Sequence, residues 1–313
     1  MRYPTFNKAA LWPLVFILSL SGGVSAATPP AAPASYTMHV GKLKVVALND
    51  GYLPADMMKI LEGGDGKRIT ALLKEANLDK DAGISVNVYL VDTGDKKILV
   101  DTGGGTLTGK TAGHLQDSLR VAGYTPEQID VVLMTHLHAD HIGGLLNGEQ
   151  RAFKNAVVKV NDQELTYWMS DASAALGKED KPSAFSAVKH YLKPYQDAGR
   201  VSTFKWGDNV MPGIEAVDLR GHTPGHTGFK IGAQGDQLLF WGDVIHVEPV
   251  QFPEPEVTVI YDTTPSQAVK TRKAALEMAP KAGYWVADAH IDFPGIGKVE
   301  THDGNYIWKP IEK

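Results

Sequence analysis

The feature that most limits the fold is a short apolar run, Val131-Val132-Leu133-Met134, that leads directly into Thr135-His136-Leu137-His138-Ala139-Asp140-His141-Ile142-Gly143-Gly144. Imidazole and carboxylate are ligands for zinc and similar divalent ions. A helix, at about 3.6 residues per turn, would disperse these four side chains around its circumference, whereas a loop leaving a strand gathers them. The reading is a buried strand that ends in a metal-binding loop, with Gly143 and Gly144 letting the backbone turn tightly beside it. A lone histidine is most often a polar residue with a hydrogen-bond partner. Four potential ligands within six positions, 136 to 141, are not explained that way. Asp140 and His141 are adjacent, so they are expected to serve a different ion from the His136/His138 pair.

Strand-like and helix-like stretches alternate around this motif. Residues 43–48 are β-rich, and 86–91 and 97–101 flank the Gly94-Asp95 turn, which predicts a hairpin. Residues 131–135, 157–160, 214–219, 227–231, 237–241 and 284–287 read as further strands. Helical spacing marks 115–122, 162–169, 183–198 and 265–278, and Thr125-Pro126-Glu127-Gln128 suits a capped helical turn. Two groups of strands, each followed by helices, predict an α+β protein with two sheets face to face and helices outside. No linker interrupts residues 36–313, so they are expected to form one domain.

The first residues read differently. Arg2 and Lys8 accompany an almost unbroken apolar stretch, 9–20, which ends at Ser21-Gly22-Gly23 and offers Val24-Ser25-Ala26 for cleavage. That is the pattern of a secretory signal peptide. The stretch is short for a membrane span, which needs about 20 residues. Residues 1–26 are therefore expected to be a signal peptide and 27–35, with Pro29, Pro30 and Pro33, an unstructured mature N-terminus. The expectation is a periplasmic or secreted protein with no membrane association after cleavage. A formal net charge of -5 gives no basic footprint, so nucleic acid is not expected as a partner. The chain has 0 cysteines, which removes thiolate nucleophiles and thiolate metal ligands alike. No Gly-x-Ser-x-Gly elbow is present, and Gly103-Gly104-Gly105 lacks the Gly-Lys-Ser/Thr of a phosphate loop; beside a metal site such a run suits close backbone approach.

The His-x-His-x-Asp-His spacing resembles the signature of the metallo-β-lactamase superfamily, whose members share an αββα sandwich with a binuclear metal site at one edge. The resemblance continues in Gly221-His222-Thr223-Pro224-Gly225-His226, Trp241-Gly242-Asp243 and Ala287-Asp288-Ala289-His290. It implies that His136, His138 and His222 hold one metal, that Asp140, His141 and His290 hold the other, and that Asp243 bridges them. It also implies that Asp101 orients a ligand histidine from behind, and that His226 hydrogen-bonds there rather than coordinating. Residues 99–103, 122–128 and 290–297 are similar to the methyl parathion hydrolase-like branch, which also contains lactone and aryl ester hydrolases. The position of Trp168 relative to His141 matches the pocket tryptophan of that branch. His246 stands where acyl-homoserine lactonases place a tyrosine, and it could donate a hydrogen bond or a proton to an ester oxygen. Trp168, Phe185, Phe252 and Tyr261 are expected to form an aromatic pocket beside the metals.

The resemblance thus implies a hydrolase of small molecules, expected as a homodimer, that attacks lactones or aryl esters with a hydroxide shared by two divalent ions. Zinc is the first expectation for the ions, and manganese, cobalt and iron suit the same ligands. Asp243 would orient the nucleophile, with Asp140 and His246 as further catalytic groups. A polar His246 and a bulky Tyr261 favour esters and lactones, with phosphotriesters as a side activity. The alternatives are a methyl parathion-type phosphotriesterase, a mononuclear iron persulfide dioxygenase and a non-catalytic exported metal-binding protein. The filled Asp140/His141 half argues against the iron dioxygenase, and a bridging Asp243 against mere storage.

Overall fold

A computed structural model describes residues 34–78, 82–172 and 181–312. The expected signal peptide, 1–26, and most of the expected N-terminal tail, 27–35, lie outside them. Successive side chains of a strand point to opposite faces, so a strand buried on both sides reads as an unbroken apolar run. The strand Leu43–Pro54 obeys this: Val45 and Ala47 enter one core, Val46 and Leu48 another. Gly83–Asp92 divides Tyr89 and Val91 from Val88 and Leu90 in the same way, and Val131–Leu133 divides Val131 and Leu133 from Val132.

These strands belong to a seven-stranded sheet of Ser35–Val40, Leu43–Pro54, Gly83–Asp92, Lys97–Val100, Val131–Leu133, Val157–Asn161 and Val201–Phe204, side by side in chain order. Its first four strands pair antiparallel and the rest parallel. A second seven-stranded sheet holds Asn209–Met211, Ile214–Asp218, Thr227–Ala233, Asp236–Gly242, Trp285–Asp288, Ile296–His302 and Asn305–Pro310. Only Asp236–Gly242 and Trp285–Asp288 pair in parallel there. Between the sheets, Val45, Ala47, Val91 and Leu133 meet Ile214, Phe229, Ile231 and Phe240. Outside the first sheet, Leu48, Leu90 and Val132 share a core with Leu119 of the helix Leu115–Val121 and with Val188 and Leu192 of the helix Lys181–Asp197. Outside the second, Leu239, Trp241 and Val286 pack on Ala275, Leu276 and Ala279 of the helix Pro265–Ala282. The result is the αββα layering expected from the sequence. No helix among the described residues is long and apolar enough to cross a membrane.

Several details differ from the sequence reading. The first strand starts inside the expected tail, with Ser35 paired to Leu48 and the Ala34 N–H donating to Ser118 Oγ at 3.1 Å. The helices Met57–Ile60 and Gly66–Glu75 are additions, each opened by an aspartate, Asp56 or Asp65, whose side chain accepts a first-turn N–H. The hairpin Ile296–His302 to Asn305–Pro310 is another addition. It closes on Asp303-Gly304, both at positive φ (49° and 80°), the dipeptide that a two-residue hairpin turn favours.

The glycines beside the histidine motif have a physical necessity. A Cβ on Gly143 would lie 1.9 Å from the Gly104 carbonyl oxygen, and one on Gly105 2.0 Å from the Gly143 oxygen. The run 103–105 and the 143–144 pair therefore touch backbone to backbone. Gly143→Ala is expected to cost about 1–3 kcal/mol or more, because neither backbone can yield cheaply. A denaturation midpoint equal to that of the unmodified chain would contradict this.

Candidate metal centre

Strand ends bring the site together. His136 and His138 follow the strand Val131–Leu133, Asp243 follows Asp236–Gly242, and His290 follows Trp285–Asp288. His222 lies in the connection between Ile214–Asp218 and Thr227–Ala233. The sequence reading put the whole His136 to His141 motif in a loop. The structure instead winds Ala139–Ile142 into one helical turn with His138 at its N-cap. A single turn is too short to scatter the side chains, and it separates Asp140 and His141 from His136 and His138.

Three groups of potential ligands result, the last of them Asp243, His246 and His290. In the first, ligand atoms of His136, His138, His222 and Asp243 lie within 4.8 Å of one another; in the second, those of Asp140, His141 and His290 do. His138 Nδ1 is 3.0 Å from His136 Nε2 and 2.9 Å from His222 Nε2. Asp140 Oδ2 is 3.6 Å from both His141 Nε2 and His290 Nε2. Asp243 lies between the clusters, with Oδ1 3.2 Å from His141 Nε2 and Oδ2 3.2 Å from His222 Nε2 and 3.0 Å from His290 Nε2.

The donor set fits divalent cations. The far nitrogens of the rings are held by acceptors: His141 Nδ1 by Asp101 at 2.9 Å, His222 Nδ1 by Asp262 at 2.8 Å, His290 Nδ1 by the Ser85 carbonyl at 2.9 Å. Such contacts keep the proton on Nδ1 and turn the Nε2 lone pair inward. His136 Nδ1 meets Thr135 Oγ1 at 3.0 Å, while that hydroxyl donates to Asp101 at 2.7 Å. His141 Nε2 and Asp243 Oδ1 are buried and have no hydrogen-bond partner. Converging lone pairs and orphaned buried polar atoms are costly unless a cation sits among them. Burial and the neighbouring His141 push the His136 imidazole well below its usual range, although Asp243 pulls the other way. Burial, with His222 adding to it, does the same to His138. Neutral rings of this kind are what a metal requires.

The profile of the metallo-beta-lactamase superfamily matches residues 82–290. The chain belongs to the metallo-beta-lactamase superfamily. It is similar to a crystal structure of AbOPH, a hydrolase in the beta lactamase superfamily, with TM-score 0.86 and 33% identity over 90% of this chain and 99% of that one. It has the fold of AidC, a dizinc quorum-quenching lactonase in complex with a product, with TM-score 0.83 and 24% identity over 91% and 99% of the two chains. It is 28% identical over 173 residues to an N-acyl homoserine lactonase of Bacillus thuringiensis, which covers 48% of this chain and 60% of that protein. The chain spans about half the length of the curated relatives it matches, from 44% to 63%.

Around the metal clusters of this superfamily member, the other predicted residues separate into two groups. Asp101 lies behind His141 as described, and His226 stands behind Asp243: its Nδ1 bonds the Leu219 carbonyl at 2.8 Å and its Nε2 accepts the Asp243 N–H at 3.1 Å. Burial, reinforced by His222, lowers His226 to about 4, which leaves Nε2 free to accept. His246 joins the site, with Nε2 3.2 Å from Asp243 Oδ2, its ring stacked on His290 and its Nδ1 buried without a partner. Trp168 stands edge-on to His138, 5.6 Å between centroids. Tyr261 is 46% exposed, and burial of its hydroxyl, together with the nearby Asp140 carboxylate, raises it above the usual phenol range. Phe185 lies behind Trp168, 4.7 Å between centroids, inside the helix-side core. Phe252 packs on Trp308 in the core outside the second sheet.

Two carboxylates escaped the sequence reading, Asp262 and Glu164. Asp262 also accepts the Val259 N–H and lies 3.8 Å from the buried Arg272, so it is fixed in place behind His222. Asp262→Ala is expected to weaken binding of the ion at His222 by about 10- to 100-fold. A chelator-competition titration with unchanged affinities would remove Asp262 from this role.

Proposed function

We propose that the protein is a binuclear metal-dependent hydrolase of lactones and aryl esters. The observation that carries this reading is Asp243, buried between two ligand clusters, with an unpartnered Oδ1 toward His141 and Oδ2 toward both His222 and His290. His136, His138 and His222 would hold one ion, Asp140, His141 and His290 the other, and Asp243 both. Two divalent ions supply a Lewis acid and lower the pKa of water toward about 7, so that neither a serine nor a cysteine nucleophile is needed. The chain's own residues do the rest. Asp101, Asp262 and the Ser85 carbonyl hold the histidines in one tautomer, and His226 fixes the Asp243 backbone. Trp168 walls the His138 side, and Tyr261 stands half-exposed within electrostatic reach of Asp140. His246 is neutral at ordinary pH, lowered to about 4 chiefly by burial, and can offer an N–H to the departing oxygen.

The similarity to an N-acyl homoserine lactonase supports the lactone side of the proposal. The deciding experiment is a rate panel on metal-analysed protein: dihydrocoumarin, a nitrophenyl ester, an acyl-homoserine lactone and methyl parathion. Lactones and esters are expected to lead by orders of magnitude. A lead by methyl parathion would make the protein a phosphotriesterase instead. His246→Ala is expected to lower kcat on the best lactone by about 10²- to 10⁴-fold with both metals retained. Loss of an ion in that variant would make His246 a ligand, not a proton donor.

A further inference from the structure

Glu164 is a buried glutamate on the helix Asp162–Met169, with no exposed surface. An ionised carboxylate inside a protein is costly unless every lone pair is met. Here each oxygen accepts two hydrogen bonds. Oε1 takes the Leu137 N–H at 3.0 Å and the Trp168 indole N–H at 2.7 Å. Oε2 takes the Thr223 hydroxyl at 2.7 Å and the Gly225 N–H at 2.9 Å. All four partners are neutral donors, and a carboxylate that only accepts is the side chain that satisfies them.

The four donors have a common address. Leu137 lies between His136 and His138, Thr223 follows His222, and Gly225 closes the same turn. Trp168 is the residue whose ring stands against His138. The helix also presses directly on the second segment, because a Cβ on Gly225 would lie 2.3 Å from the Glu164 backbone nitrogen. The two segments are also joined by a backbone bond from the Thr227 N–H to the Thr135 carbonyl at 2.9 Å.

We propose that Glu164 is a positioning residue for the metal centre: its carboxylate clasps the segments carrying His136, His138 and His222 and sets Trp168 against His138. It governs the affinity of the ion in that cluster and leaves the ion of Asp140, His141 and His290 alone. This rests on the binuclear reading.

The test is Glu164→Gln in the full chain loaded with zinc. The amide has nearly the same shape, yet its NH₂ must face either the Leu137 and Trp168 N–H groups or the Gly225 N–H, so at least one of the four bonds is lost and a donor is set against a donor. Chelator competition is expected to show one ion weakened about 10- to 100-fold and the other unchanged. The weakened ion should be the one that His138→Ala eliminates, so the remaining ion is held equally well in His138→Ala and in the Glu164→Gln/His138→Ala double variant. Because binding stabilises only the folded state, the melting temperature should fall more in the zinc-loaded variant than in the metal-free one. Equal falls with unchanged zinc affinity, or equal weakening of both ions, would overturn the proposal. Should Glu164→Gln fail to fold, Thr223→Val removes a single donor and must show the same selective loss on a smaller scale; unchanged affinity there overturns it too. If the unmodified chain binds fewer than two zinc ions, the binuclear reading falls first and this inference with it.

Discussion

Asp243→Asn is expected to reduce hydrolysis about 10³-fold or more, since metal-assisted catalysis supplies several kcal/mol and each ~1.4 kcal/mol is a factor of ten. The buried carboxylate carries the one negative charge shared by both clusters, with Oδ1 toward His141 and Oδ2 toward His222 and His290. The amide removes that charge and turns an NH₂ toward an inward-facing imidazole nitrogen, whichever way it is oriented. Both ions should be held more weakly, while the sheets, whose apolar cores do not include Asp243, should persist. Steady-state rates, metal content and circular dichroism read the three effects. Activity within tenfold of the unmodified chain, with two ions still bound, would remove Asp243 from the chemistry.

Exhaustive chelation is expected to abolish activity, and one equivalent of divalent ion should restore less than two. Stability should fall as well. An ion present at 1,000 times its dissociation constant stabilises the fold by ~4 kcal/mol. For a domain of this size that corresponds to a melting temperature lower on the order of 10 °C per ion lost. Calorimetry of the metal-free and reloaded protein measures it. Full activity of a protein shown to be free of metal would end the metal-dependent reading.

How much of this was legible depended on distance along the chain. His136, His138, Asp140 and His141 declare themselves because they crowd six positions behind an apolar strand. The strands are legible for the same local reason, as in Leu43–Pro54 and Gly83–Asp92, which are apolar on both faces. Asp262 is forty residues from its partner His222, and a single aspartate before Thr263-Thr264 looks like an ordinary turn residue. Glu164 sits in a polar helix start, Asp162-Gln163-Glu164, where a glutamate is normally solvated; only the fold brings four donors to it. Aromatic residues were the least legible. Trp168 and Phe252 read alike as large apolar side chains and both are buried in cores, but the ring contact of Trp168 is to a ligand histidine and that of Phe252 to Trp308. The Asp303-Gly304 hairpin turn and the Asp56 and Asp65 caps, by contrast, are local signals carried by adjacent residues.

The layering has one more consequence, for assembly. Each ion cluster draws ligands from both halves of the sandwich: His136, His138, Asp140 and His141 follow a strand of the first sheet, and His222, Asp243 and His290 belong to the second. Neither half alone holds either of these two clusters, although the second half carries the smaller group of Asp243, His246 and His290. On the binuclear reading, full metal capture would follow docking of the halves, and the ions would act as rivets across the seam. During maturation, metal uptake would report closure of the sandwich rather than formation of either sheet, and a chain divided between Phe204 and Asn209 would need the ions to hold its two pieces in register.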